Sequence, residues 1–401
     1  MNQTSSDLKP ALRLHYLDGI RGLAALYVVF HHAYLQVTGP EESKILTEQI
    51  PPLALMSVRW LEYGSFSVAI FIILSGYCLM LPVVSRGILS GGWIEYIKRR
   101  AKRILPPYYA ALGLSLLLVL IFPFLNKPSG TIWDVTGDAF SLQSILSHLF
   151  LIHNWKGAWA SKINYPMWTV STEWQIYFLL PLILLPLWRK FGLWVMTIAA
   201  IFIGFAPHYL LNGFLDRAKP WYFSLFALGA AAAVISTSTE SKYIKLRQQI
   251  PWGVVATFFV VLLSVIVIPQ ERSWLDTHEM VSDQLVAGMA FCVLVQCTQT
   301  AMNGKMIESN SPRTWLLKLL SHPWAIGLGS FSYSLYLVHA PILALIDLPL
   351  KAAHVSSTLR LVIGLGVSVP ISVGISYLFY WVFERPLMRR SNTTNKSNVN
   401  G

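Results

Sequence analysis

The stretch LDGIRGLAALYVVFHHAYLQV, residues 17–37, has the length and most of the apolar character of a membrane helix, yet it contains Asp18, Arg21, His31 and His32. About 20 residues cover the hydrocarbon core of a bilayer. Ionisable groups are costly there, so each one needs a partner or a task. Arg21 and His32 are separated by ten residues, and eleven steps of about 100° return His32 to within about 20° of the Arg21 face. At a rise of about 1.5 Å per residue the two lie on one stripe roughly 16 Å apart. His31 points about 100° away from that stripe and is the weaker candidate.

Working outward, the 401 residues are 54% hydrophobic and 12% charged, with mean hydropathy +0.52. This composition specifies an all-α polytopic membrane protein. The length accommodates about ten transmembrane helices and leaves no room for an additional large soluble domain. Charges within the first span, with no small-residue cleavage pattern after it, argue against a cleaved signal peptide. Cys78, Cys292 and Cys297 fall in apolar segments without metal-ligand spacing, so small buried hydrophobes are expected rather than disulfide or metal partners. The net charge of +12 is explained by the positive-inside rule, and no nucleic-acid partner is expected.

Ten spans are read along the chain: 17–37, 66–84, a third opened by Pro106 and Pro107, then 167–188, 191–211, 221–235, 252–268, 281–300, 325–348 and 359–383. Proline suits a first turn because its missing N–H would lack a helical partner there. Asp283, Gln284, Gln296 and Gln299 dilute the eighth span, and its loss would invert everything after it. A surface helix is expected near residues 142–152 of the longest loop, 126–166. Residues 1–16 read as a cytoplasmic leader, 17–386 as the membrane domain and 387–401 as a disordered cytoplasmic tail. With the N-terminus inside, roughly twice as many Lys and Arg fall on the cytoplasmic side as in the outer loops, which places both termini in the cytoplasm. No internal repeat of the transporter kind is evident.

Topology gives the opening stripe a direction, with Arg21 near the cytoplasmic end and His32 about 8 Å short of the outer end. Glu173 and His339 reach a similar depth in the fourth and ninth spans. One histidine in a span is ordinarily a satisfied packing residue, but three ionisable groups in one layer suit acid–base chemistry. KRRAKR, residues 98–103, is on charge alone a topology signal or a lipid contact. Its other reading is that Arg100 and Arg103, three apart on one helical face, clamp the phosphates of a cytoplasmic donor. Asp18 and Arg21 are spaced for a local ion pair, and Glu384 with Arg385 for another at a helix end. Tyr333, Tyr336 and His339 recur at helical spacing, a pattern that more often reflects packing than a site.

At these residues the chain resembles the acyltransferase family 3 membrane proteins. The resemblance rests on LDGIRGLAAL with the Arg21-x10-His32 spacing, RRAKRILPPYY, MWTVSTEWQIYFLLPLIL, GSFSYSLYLVHAPI and the terminal FERP, in that order from about Leu17 to Pro386. It implies an enzyme that acylates sugars, envelope polysaccharides, lipooligosaccharides or macrolides. It also implies that Arg21 and His32 are required, that Arg100 and Arg103 are the RxxR pair, and that Glu173 is the span-four glutamate. Trp174 stands where the family often has a second glutamate. The esterase-like domain of some members is not in this sequence, so the acceptor would be handled by the membrane domain or a separate partner.

The mechanism expected from residues and resemblance together has no permanently bound cofactor. An acyl-CoA, here taken as acetyl-CoA, is the co-substrate, with phosphates at Arg100, Arg103 and Arg21. Its pantetheine arm follows the Arg21 to His32 stripe. His32 acts as general base on a hydroxyl of a sugar, glycan or glycolipid acceptor, with Glu173 as an orienting carboxylate. An acyl-histidine is the alternative chemistry. Trp168, Tyr333, Tyr336 and His339 are assigned to substrate contact, and membrane lipid, in a bacterial cytoplasmic membrane, surrounds the whole. The rival from another class is a transporter or flippase for a glycan or lipid-linked sugar, and a third reading is a membrane sensor or scaffold.

Overall fold

The computed structural model describes residues 14–39, 50–267, 274, 277–303 and 312–388. Most of the expected leader, the middle of the 38–59 loop and nearly all of the expected tail lie outside the described residues.

Among the described residues every regular element is helical. The chain runs α1 (His15–Thr38), α2 (Pro52–Val58), α3 (Ser65–Arg86), α4 (Gly92–Ile121), α5 (Leu142–Leu149), α6 (Tyr165–Phe191) and α7 (Leu193–Leu210). It continues with α8 (Tyr222–Thr237), α9 (Ser241–Gln249), α10 (Trp252–Ile266), α11 (Glu279–Met302), α12 (Pro312–Leu320), α13 (Pro323–Ser330), α14 (Ser332–Ala352) and α15 (Ser357–Met388). Eight helical stretches among the described residues are long and apolar enough to cross a bilayer, and nine if α9 and α10, bent by 59°, form one span. The protein is therefore an integral, multi-pass membrane protein. The 24-residue α1 is long enough to cross as well but is not among these eight, because Asp18, Arg21 and two histidines dilute its apolar character.

Two boundaries differ from expectation. The third span is not opened by its proline pair: α4 is a continuous 30-residue helix with Pro106 and Pro107 inside it. Each proline removes one i→i−4 bond, and the intact turns on both sides carry the helix through. As a result KRRAKR is built into the same rod as the apolar half, and its arginines are held on a rigid element. The ninth span, expected at 325–348, divides at Phe331, whose ψ of 17° interrupts the ladder between α13 and α14. Within α6, residues Leu180–Leu184 form a π-helical turn that includes Pro181, a residue unable to donate to the ladder.

The alanine-rich α8 sits at the centre of the bundle, with residues Phe223 to Phe226 at most 2% exposed. Its seam with α3 is a backbone contact: a Cβ on Gly76 would lie 2.0 Å from the Phe226 carbonyl oxygen, and one on Gly229 would lie 1.9 Å from that of Ile73. Small residues permit such approaches where water gives no drive to helix association. By contrast α7, α10 and α15 turn Phe202, Val265 and Val382 outward, as lipid-facing helices do. Near one end of the bundle Arg360 donates to Asp347 from Nε at 2.9 Å and from Nη2 at 2.5 Å, tying α15 to α14 through a buried bidentate pair.

Candidate active site

Five helices enclose one cavity of about 280 Å³. Arg21 enters from α1, Ser75 and Cys78 from α3, Arg100 and Arg103 from α4, Glu173 and Tyr177 from α6, and Tyr333 and Tyr336 from α14. Residues from four separated sequence motifs thus meet at one wall. Arg21 donates to Asp18 Oδ1 at 3.2 Å, the ion pair its spacing predicts, and to Cys78 Sγ at 2.9 Å. Cys78 is therefore not merely a packing residue, whereas Cys292 and Cys297 are buried in the bundle.

Arg100 and Arg103 make no ion pair among the described residues, and Arg100 Nε is a buried donor without a hydrogen-bond partner. A buried unsatisfied N–H is expensive. Three guanidiniums line the cavity against the one lining carboxylate, that of Glu173, so its wall carries net positive charge and complements negatively charged groups. Glu173 accepts from Ser75 Oγ at 2.5 Å and from the Tyr177 hydroxyl, one helical turn further on.

The histidines lie beyond this cavity. His32 Nδ1 is 2.7 Å from His339 Nε2, and the two rings are parallel within 3°. His339 Nδ1 lies 2.9 Å from the Leu335 carbonyl oxygen in the same helix. Tyr165 meets the His32 ring edge-on at 4.8 Å. His31 takes another direction, with Nδ1 2.6 Å from the Leu61 carbonyl oxygen, as its angle on α1 implies. Tyr336 stands at the junction: it lines the cavity, its ring lies 6.0 Å from that of His339, and its hydroxyl donates to the Pro166 carbonyl at 3.0 Å. Phe71, 6.1 Å from Tyr336 ring to ring, stands beside it on the cavity wall.

The remaining candidates are distributed as follows. Tyr333 lines the cavity and donates to the Ile104 carbonyl at 3.1 Å. Trp168 is not among the lining residues; Lys219 Nζ sits 4.9 Å above its ring and pairs with Glu279 at 3.0 Å. Glu384 and Arg385 do not pair with each other: Glu384 accepts from Ser334 Oγ at 2.6 Å, while Arg385 lies over the Trp381 ring. Sequence reading missed Ser75, Tyr177 and Phe71. Of these only Tyr177 left a signal, its i+4 spacing from Glu173.

The long loop bears on the same helix. The expected surface helix forms as α5, and the segment after it latches onto α6 beside Glu173. His153 is 3.0 Å from Ser171 Oγ, Asn154 donates to Thr172 Oγ1 at 3.0 Å, and Gln175 donates to the Leu151 carbonyl at 3.0 Å. His148 and His153 stack at 3.9 Å within this latch, and burial pushes the pKa of His148 down to about 4.

A bundle of membrane helices with an arginine-lined cavity next to a histidine pair, His339 buried and His32 half-buried, defines a class: a multi-pass membrane protein. Residues 14–380 match the Acyltransferase domain family, Acyl_transf_3, and the chain belongs to it. It is 21% identical over 357 residues to the O-acetyltransferase OatA of Staphylococcus aureus strain NCTC 8325 / PS 47, covering 82% of this chain and 51% of that protein. It is 23% identical over 363 residues to a protein of strain COL named "Putative O-acetyltransferase SACOL0978", covering 82% and 50%. The chain thus spans about half the length of these curated relatives. No solved structure matches it.

Proposed function

We propose that this protein is a membrane-embedded O-acyltransferase that moves an acyl group, acetyl by analogy with its relatives' names, from cytoplasmic acyl-CoA to a hydroxyl of a sugar or glycan acceptor. The observation that carries the reading is the convergence of Arg21, Arg100 and Arg103 on one cavity in which Arg100 Nε lacks a partner. A coenzyme A headgroup supplies the phosphate oxygens such a surface would bind. Both termini are placed in the cytoplasm by the positive-inside bias, so that KRRAKR faces the soluble donor pool. A bacterial cytoplasmic membrane is the setting the relatives suggest.

Arg100 and Arg103 hold phosphate, and Arg21, steadied by Asp18 and Cys78, lies deeper along the donor. The acceptor hydroxyl gives its proton to His32 as its oxygen attacks the thioester carbonyl. The acyl–oxygen bond forms, the acyl–sulfur bond breaks, and the departing thiolate of coenzyme A recovers the proton. Tyr336, with Phe71 beside it, lines the cavity and lies 6.0 Å ring to ring from His339, so the thioester must pass it to reach the base. Glu173, bonded to Ser75 and Tyr177, keeps α6 against α3 and limits the positive charge of the cavity.

The test is purified protein in nanodiscs with radiolabelled acetyl-CoA and a panel of glycosides and envelope glycans. Transfer is expected in the wild type and lost in His32→Ala, with acetyl-CoA binding retained. Undiminished transfer by His32→Ala would remove its role as base, and absence of any acetyl-CoA binding to wild type would overturn the donor assignment.

A further inference from the structure

We infer that His339 is a positioning residue that fixes His32 in the tautomer carrying a proton on Nδ1, so that Nε2 is the basic nitrogen. The inference rests on the reading of His32 as general base and deepens it. The Leu335 carbonyl oxygen, 2.9 Å from His339 Nδ1, can only accept a hydrogen bond. His339 Nδ1 therefore bears a proton, and in a neutral imidazole Nε2 is then the acceptor. The 2.7 Å contact from His339 Nε2 to His32 Nδ1 consequently needs its proton on His32.

The geometry is that of a hydrogen bond between edges of coplanar rings. The planes differ by 3° and the centroids lie 5.0 Å apart, too far for face-to-face contact alone to account for a 2.7 Å nitrogen–nitrogen distance. The relay begins at a backbone carbonyl of α14, and His339 is fully buried, so its orientation does not follow solvent. Tyr165, edge-on at 4.8 Å, limits rotation of the His32 ring. When His32 Nε2 takes the acceptor proton, the positive charge that develops on His32 is stabilised through Nδ1–H by the His339 lone pair. It returns to neutral when the thiolate takes that proton. A carboxylate is the commoner partner for a catalytic imidazole. Here Glu173 is engaged by Ser75 and Tyr177 in the neighbouring cavity, and a second imidazole occupies that place.

The experiment compares His339→Gln, His339→Asn and His339→Ala in the acetyl-transfer assay, with acetyl-CoA affinity measured separately. Glutamine can set its side-chain carbonyl near the position of Nε2 and accept from His32, whereas asparagine is too short and alanine offers nothing. We expect kcat to fall on the order of 10²–10⁴-fold in His339→Ala and His339→Asn, with donor affinity unchanged and most activity restored in His339→Gln. Should His339→Ala not fold, the two amides, alike in polarity and different in reach, carry the comparison. ¹⁵N spectra of histidine-labelled protein supply a readout independent of turnover: His32 Nδ1 is expected to be the protonated nitrogen in wild type. Equal activity of the two amide variants, or a proton on His32 Nε2 in wild type, would overturn the assignment. Loss of all transfer in wild type alongside the expected ¹⁵N pattern would instead count against the role of His32 as base.

Discussion

Gly329→Ala should damage the proposed donor site although Gly329 lines no part of it. A Cβ at this position would lie 2.0 Å from the Asp18 carbonyl oxygen and 2.5 Å from its carbonyl carbon. Real contacts of this kind do not fall below 3.0 Å, so α13 and the first turn of α1 must part by about 1 Å, an overpacking that typically costs 1–3 kcal/mol. Asp18 is the residue that steadies Arg21, at 3.2 Å, while Cys78 holds the other end of the guanidinium at 2.9 Å. A displacement of that size takes at least one of these contacts beyond hydrogen-bond range, and misplacement by 1 Å can cost about 10²-fold in rate. The same helix supplies the control. Gly327 has nothing within 4 Å of its Cβ position, so Gly327→Ala should be neutral, or stabilising by up to about 1 kcal/mol through helix propensity. Thermal unfolding in detergent, acetyl-CoA binding and acetyl transfer are measured on both variants. Wild-type binding and turnover in Gly329→Ala would refute the claim that the glycine seam places Arg21.

Arg100→Lys and Arg103→Lys should each preserve membrane topology and weaken acetyl-CoA binding by about 10-fold, since a point charge loses the planar fork that grips phosphate; unchanged affinity by calorimetry would return KRRAKR to a purely topological role. The latch on α6 should be acid-labile. With the folded pKa of His148 depressed to about 4 from 6.5, the unfolded chain takes up the proton first, so its contribution to stability is complete above pH 6.5 and is lost as pH falls towards 4. Over that window the loss approaches about 3 kcal/mol. Unfolding temperatures recorded between pH 7 and pH 4 should decline less steeply in His148→Leu, and identical slopes would exclude His148 as the group responsible.

Hydropathy and periodicity are sums over neighbouring residues, and they suffice for whatever depends on neighbours. The membrane class, the helical identity of nearly every expected span, the Asp18–Arg21 pair and the turning away of His31 all follow from counting along one helix. Helix junctions resist the same counting. Pro106 and Pro107 continue a helix that their sequence context suggests they open, and Phe331 breaks a stretch that reads as continuous, because a single ψ angle or the support of flanking turns decides each case. A rise per residue converts position into height, and His32 and His339, read at one level, do meet. Which side chains touch across helices does not follow from height. His32 and His339 are 307 positions apart, and Glu173 meets Ser75 and Tyr177 rather than His32 at the hydrogen bonds described. That choice depends on the rotation of each helix about its axis, which backbone seams such as Gly76 on Phe226 and Gly329 on Asp18 set by close approach. The chain alone therefore determined what kind of molecule this is and which residues carry charge into the bilayer. Only the packed bundle decided that three arginines share a cavity and that the partner of the histidine on α1 is another histidine.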